Sequence, residues 1–137
     1  MSTVRDAMNS PLHSCTVLDN VYEAALMMKE NNIGAVPIFE ENKLIGILTD
    51  RDIALRGVGS KHPGSTKITD LMSEHVITVS PEQSLTEAAA IMASHQIRRL
   101  PVMDGDTCIG MVSLGDLSRF KEGLDCVGKA LKSITEK

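Results

Sequence analysis

The chain is poor in aromatic residues and in positive charge. Its 137 residues include no tryptophan, one tyrosine and two phenylalanines, and 14 Lys and Arg stand against 18 Asp and Glu, for a net charge of -4. Proteins that bind single-stranded nucleic acids stack the bases on aromatic side chains, and nucleic-acid binders in general present a basic face. We therefore expect no nucleic-acid partner, whereas one small anion in a local pocket is compatible with this charge.

Cysteine is also scarce. The three cysteines, Cys15, Cys108 and Cys126, are far apart, and no Cys-x-x-Cys pair occurs. An odd number at such spacing argues against a disulfide framework and against a structural zinc site. The four histidines share no metal-ligand spacing. We expect no metal site and interpret the thiols as buried or idle.

Long apolar runs are absent. None approaches the roughly 18 residues that a membrane span needs, and the first nine residues include Asp6 and lack the apolar segment of a secretory signal. We therefore expect a cytoplasmic protein without membrane contact. Hydrophobic residues make up 42% and charged residues 23%, which are ordinary values for a globular chain with its own core.

Two copies of one unit follow each other along the chain. Residues 4–8 align with residues 68–72 at an offset of 64. The same offset relates Glu23 to Glu87, Ile33 to Ile97, Pro37 to Pro101, Gly46 to Gly110, Thr49 to Ser113, and Asp52 to Asp116. Thr16–Val17 is matched instead with Thr78–Val79, at an offset of 62. Such a duplication governs the whole architecture.

The repeats divide the chain into four segments. We predict a first repeat at 4–55, a linker with three glycines and a proline at 56–67, a second repeat at 68–117 and a helical tail at 118–137. One face of the tail is apolar, at Leu117, Phe120, Leu124, Val127, Leu131 and Ile134. Because its two glycines weaken a helix, we expect the tail to pack on its own body or on a partner chain.

Each repeat is predicted to fold as β-α-β-β-α. A short extended piece precedes a helix that begins after Asn20 or Ser84, each followed three residues later by a glutamate, as in helix caps. Two strands and a hairpin follow, and a second helix begins near Thr49 or Ser113. A three-stranded sheet cannot cover both of its faces alone. We therefore expect an α/β (α+β) fold in which the repeats pack with pseudo-two-fold symmetry and leave clefts between them.

A string that occurs in both repeats resembles a known family. An apolar-Pro-apolar strand, at 36–38 and 100–102, is followed by Ile-Gly-apolar-apolar-Thr/Ser-x-x-Asp, at 45–52 and 109–116. The arrangement resembles a tandem pair of CBS domains, the module named after cystathionine β-synthase, over about residues 4–117 of the chain. With no further domain beside it, the chain resembles the stand-alone bacterial and archaeal proteins of this type.

The resemblance implies a regulatory function without catalysis. CBS pairs bind AMP, ADP, ATP or related adenosyl compounds in clefts between the copies, and two pairs associate into a disc of four units. We therefore expect a nucleotide or metabolite sensor that forms a homodimer and acts on an unknown protein target. A ligand-free dimerisation or interaction module is the alternative. An enzyme, such as a nucleotide hydrolase, is disfavoured because no nucleophile or general base with its partners is evident.

The same resemblance assigns candidate site residues. Asp52 and Asp116 would accept hydrogen bonds from ribose hydroxyls, with Thr49 and Ser113 near the phosphate. A Thr-x-x-Asp string is also a plain helix cap, and the two roles are compatible. Adenine would be held by backbone and apolar groups. The alternative interpretation of these residues is that they belong to the ordinary hydrophobic core. These adenine candidates are Thr16, Val17, Ile33, Thr78, Val79 and Ile97.

Arginines supply the remaining candidates. Arg98 and Arg99 stand where the first repeat has Gly34 and Ala35, and the resemblance gives one of them a grip on phosphate, a role that suits a guanidinium. Two solvated charges are the alternative. Arg51 is a further candidate. The difference between the repeats predicts two unequal clefts.

Overall fold

The computed structural model describes residues 2–9 and 12–135, so Glu136 and Lys137 of the predicted tail lie outside the described residues. The chain divides into two compact units. Unit 1 takes in Met1–Leu12 and Ile77–Lys137, and unit 2 takes in His13–Val76. Within the described ranges, no helix is long and apolar enough to cross a membrane.

Helices and strands alternate along the chain, and the predicted α+β fold class is confirmed. In order, the elements are α1 (Val4–Ala7), β1 (Cys15–Thr16), α2 (Val21–Asn31), β2 (Ala35–Glu40), β3 (Lys43–Thr49), α3 (Asp50–Asp52), α4 (Leu85–His95), β4 (Arg99–Asp104), β5 (Thr107–Ser113), α5 (Leu114–Leu117) and α6 (Leu124–Thr135). A π-helical turn at Ile53–Gly57 and 3-10 turns at Val58–Ser60, Ile68–Asp70 and Lys121–Gly123 complete the set.

The two long helices that follow the first strands begin at capping boxes. At α2, the Asn20 side chain accepts a hydrogen bond from the Glu23 N–H at 2.9 Å, and the Glu23 carboxylate accepts from the Asn20 N–H at 3.2 Å. Ser84 and Glu87 repeat this pattern at α4. Each box satisfies N–H groups that a helix start leaves without an intrahelical partner. The cap predictions are therefore confirmed in both repeats.

The strands form one small sheet in each unit. In unit 2, β1 runs parallel to β2, and β2 pairs antiparallel with β3. In unit 1, β4 pairs antiparallel with β5, and Val79 forms a single parallel bridge with Val102. Buried apolar side chains on these strands pack against α2 in unit 2 and against α4 in unit 1.

Strand pairing corrects one alignment made from the sequence. Cys15 lies opposite Ile38, and Val79 lies opposite Val102, so both pairs are related by 64. The expectation that Thr16–Val17 corresponds to Thr78–Val79 at an offset of 62 is therefore wrong. Thr16 corresponds to Ser80, which is confirmed by their matching N–H bonds to the side chains three residues on. The Thr-Val dipeptides at 16–17 and 78–79 therefore do not occupy equivalent positions in the two units.

The first segment of each sequence repeat is part of the compact unit that holds the body of the other repeat. In unit 1 the Val4 N–H donates to the Gln83 carbonyl at 2.9 Å, and Val4 and Ala7 are fully buried. In unit 2 the corresponding Ile68 N–H donates to the Asp19 carbonyl at 3.4 Å, and Ile68 is fully buried. The compact units therefore cut across the sequence repeats.

The structure refines the predictions for the linker and for the tail. The helical backbone continues after α3 through the π-helical turn to Ser60, so the first residues of the predicted 56–67 linker are helical. The tail helix α6 packs on α4 and buries Val127, Ala130 and Ile134. Leu124 and Leu131 of the predicted apolar face are 57% and 39% exposed. The predicted face is therefore confirmed only in part, at Val127 and Ile134. The chain leaves the helical path at Phe120, whose backbone is extended, and a 3-10 turn at Lys121–Gly123 then leads into α6.

Gly123 in that turn provides a test of the packing. A Cβ built on Gly123 would collide with the backbone carbonyl oxygen of Leu117, whereas a Cβ on Gly128 in α6 meets nothing within 4 Å. We predict that Gly123→Ala lowers the free energy of unfolding by about 1–3 kcal/mol, as overpacking does. The matched control Gly128→Ala should raise it by about 0.5–1 kcal/mol through its helix propensity. Urea denaturation measures both, and equal midpoints for the two variants would contradict the packing.

Candidate functional site

The candidate site in unit 2 is built at the junction between β3 and α3. The Thr49 N–H donates to Asp52 Oδ2 at 2.9 Å, and the Asp52 N–H donates to Thr49 Oγ1 at 3.1 Å. This reciprocal cap holds the carboxylate at the start of the helix, because the backbone N–H of each residue donates to the side chain of the other. The capping role expected for Thr49 and Asp52 is therefore present.

Unit 1 has the same arrangement at the junction between β5 and α5. The Ser113 N–H donates to Asp116 Oδ2 at 2.8 Å, and the Asp116 N–H donates to Ser113 Oγ at 3.1 Å. We call these two places the unit 2 junction (Thr49 and Asp52) and the unit 1 junction (Ser113 and Asp116). Each positions one carboxylate by backbone bonds over only three residues.

The turn that precedes the central strand lies beside each junction. In unit 2 the Asp50 N–H donates to the Gly34 carbonyl at 2.9 Å, and Ala35 pairs with Thr49. In unit 1 the Leu114 N–H donates to the Arg98 carbonyl at 2.9 Å. Ile33 directly precedes Gly34, the residue whose carbonyl is bound at the unit 2 junction.

The arginines predicted for phosphate lie beside the unit 1 junction. Arg99 pairs with Ser113 across the β4–β5 ladder, and Arg98 directly precedes it. Arg98 is exposed and Arg99 is partly exposed. Because Gly34 and Ala35 hold the corresponding places in unit 2, this pair of cations belongs to one junction only. Arg51, inside α3, is exposed at the other junction.

The adenine candidates on β1 are not brought to the unit 2 junction. Thr16 pairs with Phe39, and the Val17 N–H donates to the Phe39 carbonyl at 3.1 Å. Phe39 is four residues along β2 from the pair of Ala35 with Thr49, a separation of about 13 Å in a strand.

The other adenine candidates are split between core and surface. Val79 is 2% exposed, its N–H donates to the Pro101 carbonyl, and its own carbonyl accepts from Met103. Thr78 is exposed. Ile33 and Ile97 are half-buried, and each packs against the core of its own unit. The interpretation as core therefore holds for the Val79 side chain, and Ile33 and Ile97 keep one accessible face.

The two carboxylates have different partners beyond their caps. Asp52 Oδ1 pairs with Arg56 Nη2 at 2.9 Å, and the Asp52 side chain is 21% exposed. Asp116 pairs with Arg119 at 3.3 Å and accepts from Asn9 Nδ2 at 2.8 Å, and its side chain is 12% exposed. Sequence reasoning missed Asn9 and Arg119. The i,i+3 spacing of Asp116 and Arg119 was a usable signal, whereas nothing local pointed to Asn9.

Other reactive side chains are not gathered into a site. Among residues 2–9 and 12–135, no group of three or more His, Cys, Asp or Glu could hold a metal ion. Burial, together with the nearby Asp19 and Glu23 charges, raises the pKa of Cys15 to about 11. Burial also raises the pKa of Cys108. Both thiols are therefore protonated at neutral pH and are poor nucleophiles.

Comparisons with known proteins agree with this architecture. The family model described as CBS domain matches residues 4–58 and 68–123. The uncharacterized protein YlbB of Bacillus subtilis (strain 168) is 47% identical over 138 residues, covering 99% of this chain and 93% of that protein. The CBS domain-containing protein YhcV of the same strain is 40% identical over 135 residues, covering 98% of this chain and 96% of that protein.

A solved structure extends the comparison to a bound state. The CBS domain pair of protein MJ0100, in complex with 5′-methylthioadenosine and S-adenosyl-L-methionine, has a TM-score of 0.82 and 28% sequence identity. The match covers 90% of this chain and 98% of that one. The two segments that the CBS family model matches include both junctions. The chain therefore belongs to the CBS domain family and carries two CBS domains in tandem.

Proposed function

We propose that this CBS pair is a regulatory module that binds an adenine nucleotide or a related adenosyl compound at its strand-to-helix junctions. The observation that carries the proposal is the reciprocal cap of Thr49 and Asp52, which holds a carboxylate in place before any ligand arrives. The similarity to a CBS pair crystallised with two adenosyl compounds supports the ligand class.

The unit 2 junction has the chemistry that a ribose requires. An ionised carboxylate offers about four acceptor positions. Asp52 uses one for the Thr49 N–H and one for Arg56. The remaining positions suit the two neighbouring hydroxyl donors of a ribose. Preorganisation by the cap removes part of the ordering cost of binding.

Phosphate and adenine would extend from this anchor. Arg98 and Arg99 are candidates for phosphate at the unit 1 junction, where they form a pair of cations, and Arg51 is a further candidate at the unit 2 junction. Ile33 and Ile97 are the stronger candidates for adenine because each is half-buried and precedes a junction strand. Thr16, Val17, Thr78 and Val79 remain proposals with less support. The unequal distribution of arginines supports unequal phosphate binding at the two junctions.

The proposed output is regulatory. A ligand that prefers one arrangement of the two repeats shifts the population toward it, and a partner protein that prefers the same arrangement then responds to the ligand concentration. We propose no catalytic activity and no cofactor other than this regulatory ligand. The partner would be a separate protein.

A second candidate function is dimerisation, which is compatible with ligand binding. Tyr22 and Leu26 on α2 are 63% and 38% exposed. In unit 1 the corresponding helix α4 is packed against α6, whereas the described part of unit 2 contains no such covering helix. Exposed apolar residues one helical turn apart favour a docking face. We propose that this face contributes to a homodimer of four CBS domains.

The ligand proposal predicts a specific loss. Asp52→Asn keeps the size of the side chain and an oxygen for the Thr49 cap but removes the charge. We expect it to weaken the binding of whichever of AMP, ATP and S-adenosylmethionine binds the natural chain by about ten- to a hundredfold, the worth of charge-assisted hydrogen bonds. Isothermal titration calorimetry measures this. The matched control Asp70→Asn alters an exposed carboxylate away from the junctions, and equal affinities for both variants would refute the site.

The dimer proposal predicts a separate loss. Placing lysines at Tyr22 and Leu26 would bury two unpaired charges in the interface, which is costly. We expect Tyr22→Lys with Leu26→Lys to raise the dimer dissociation constant at least about tenfold, as measured by sedimentation equilibrium. Leu124→Lys changes a comparably exposed leucine on α6 and should leave the constant unchanged. A natural chain that sediments as a monomer at all concentrations would contradict the dimer.

A further inference from the structure

Asp116 has more internal partners than its counterpart Asp52. Its Oδ2 atom accepts from the Ser113 N–H at 2.8 Å and from Asn9 Nδ2 at 2.8 Å, and its Oδ1 atom lies 3.3 Å from Arg119 Nη2. The residue is 9% exposed. Three of about four acceptor positions on the carboxylate are thus in use inside the protein.

Arg119 and Asn9 are themselves held in place. Arg119 Nη2 also donates to the Ala7 carbonyl at 3.0 Å, and the Asn9 N–H donates to the Met111 carbonyl at 2.8 Å. Ala7 is fully buried. Asn9 and Arg119 are both exposed, the Arg119 side chain by 60%, but each has a second hydrogen bond to the backbone besides its bond to Asp116.

The unit 2 junction lacks both of these partners. At the offset of 64, Ser73 stands in the place of Asn9 and Leu55 in the place of Arg119. The Ser73 backbone pairs with Ile47 as Asn9 pairs with Met111. Among the described residues, no hydrogen bond joins Ser73 to Asp52, and a leucine has no donor. Asp52 retains its cap and an ion pair with Arg56, whose side chain is 51% exposed against 60% for Arg119. The Asp52 side chain is 21% exposed, whereas that of Asp116 is 12% exposed.

We infer that Asn9 and Arg119 are specificity-determining residues that reserve Asp116 for the interior of unit 1 and leave Asp52 as the ribose acceptor of the pair. A ribose hydroxyl is a donor and needs an acceptor, which Arg98 and Arg99 beside Asp116 do not provide, because a guanidinium only donates. A ribose, which offers two hydroxyl donors, would find only one acceptor position left on Asp116 and would have to displace Asn9 or Arg119 to use both donors. The inference rests on the proposed function, because it concerns which junction that function uses.

The test counts binding sites with a ligand that isolates ribose and adenine. The probe is 5′-methylthioadenosine, which carries no phosphate for the arginines to bind. By isothermal titration calorimetry, we expect one site per chain in the natural protein and loss of that site in Asp52→Asn. We expect a second site in the double variant Asn9→Ser with Arg119→Leu, which gives unit 1 the residues of unit 2. Arg5→Leu removes an exposed arginine of the same segment, bound to Glu82 and not to Asp116, and should leave one site.

The outcomes separate this inference from the proposed function. Two sites of equal affinity in the natural protein, or a single site that survives Asp52→Asn and disappears in Asp116→Asn, would overturn the inference and leave the function intact. No binding by the natural protein or by the double variant would overturn both. If circular dichroism shows that the double variant does not fold, the comparison of the natural chain with Asp52→Asn still decides the inference. A gain of a site cannot result from simple destabilisation.

Discussion

The reciprocal hydrogen bonds between a hydroxyl residue and an aspartate three residues later determine how each half of the molecule presents its chemistry. At both junctions the carboxylate folds back onto the N–H of the residue that ends the strand. The strand therefore passes into a helix with its first donors satisfied. The same bonds fix the direction of a carboxylate that the chain would otherwise leave to rotate. Capping occupies only part of the acceptor capacity of the carboxylate, so it is compatible with the ligand recognition that we propose.

The exchange of first segments makes the two junctions unequal. Beside each junction strand lies the first segment of the other repeat, where Asn9 pairs with Met111 in unit 1 and Ser73 pairs with Ile47 in unit 2. One duplicated unit thus gives two carboxylates with different surroundings. Asp116 is enclosed, whereas Asp52 keeps an open side. The two surroundings differ because Ser73 stands in the place of Asn9 and Leu55 in the place of Arg119.

Most of the fold could be predicted because its determinants are local or duplicated. The capping boxes at Asn20 and Ser84 and the hairpin between β4 and β5 each depend on a few neighbouring residues. The duplication provides a second copy of each pattern, which strengthens the prediction. The pairing of Asn9 with Asp116 spans 107 positions, and no local pattern encodes it. The alignment of Thr16 with Thr78 was wrong because it relied on identical residue types, whereas the strand pairing relates Cys15 to Val79 and Thr16 to Ser80. The apolar face predicted from Leu117 to Ile134 was only partly right, because the chain leaves the helical path at Phe120 and Leu117 therefore belongs to α5.

The central claim is that this chain binds an adenosyl ligand, and equilibrium dialysis tests it most directly. With one tyrosine and no tryptophan, the protein contributes little to the ultraviolet absorbance that adenine dominates. The chain would be dialysed separately against AMP, ATP and S-adenosylmethionine, each above and below the protein concentration. The account predicts an excess of adenine absorbance on the protein side for at least one of them, saturating at a whole number of molecules per chain. Equal absorbance on both sides for all three would contradict it.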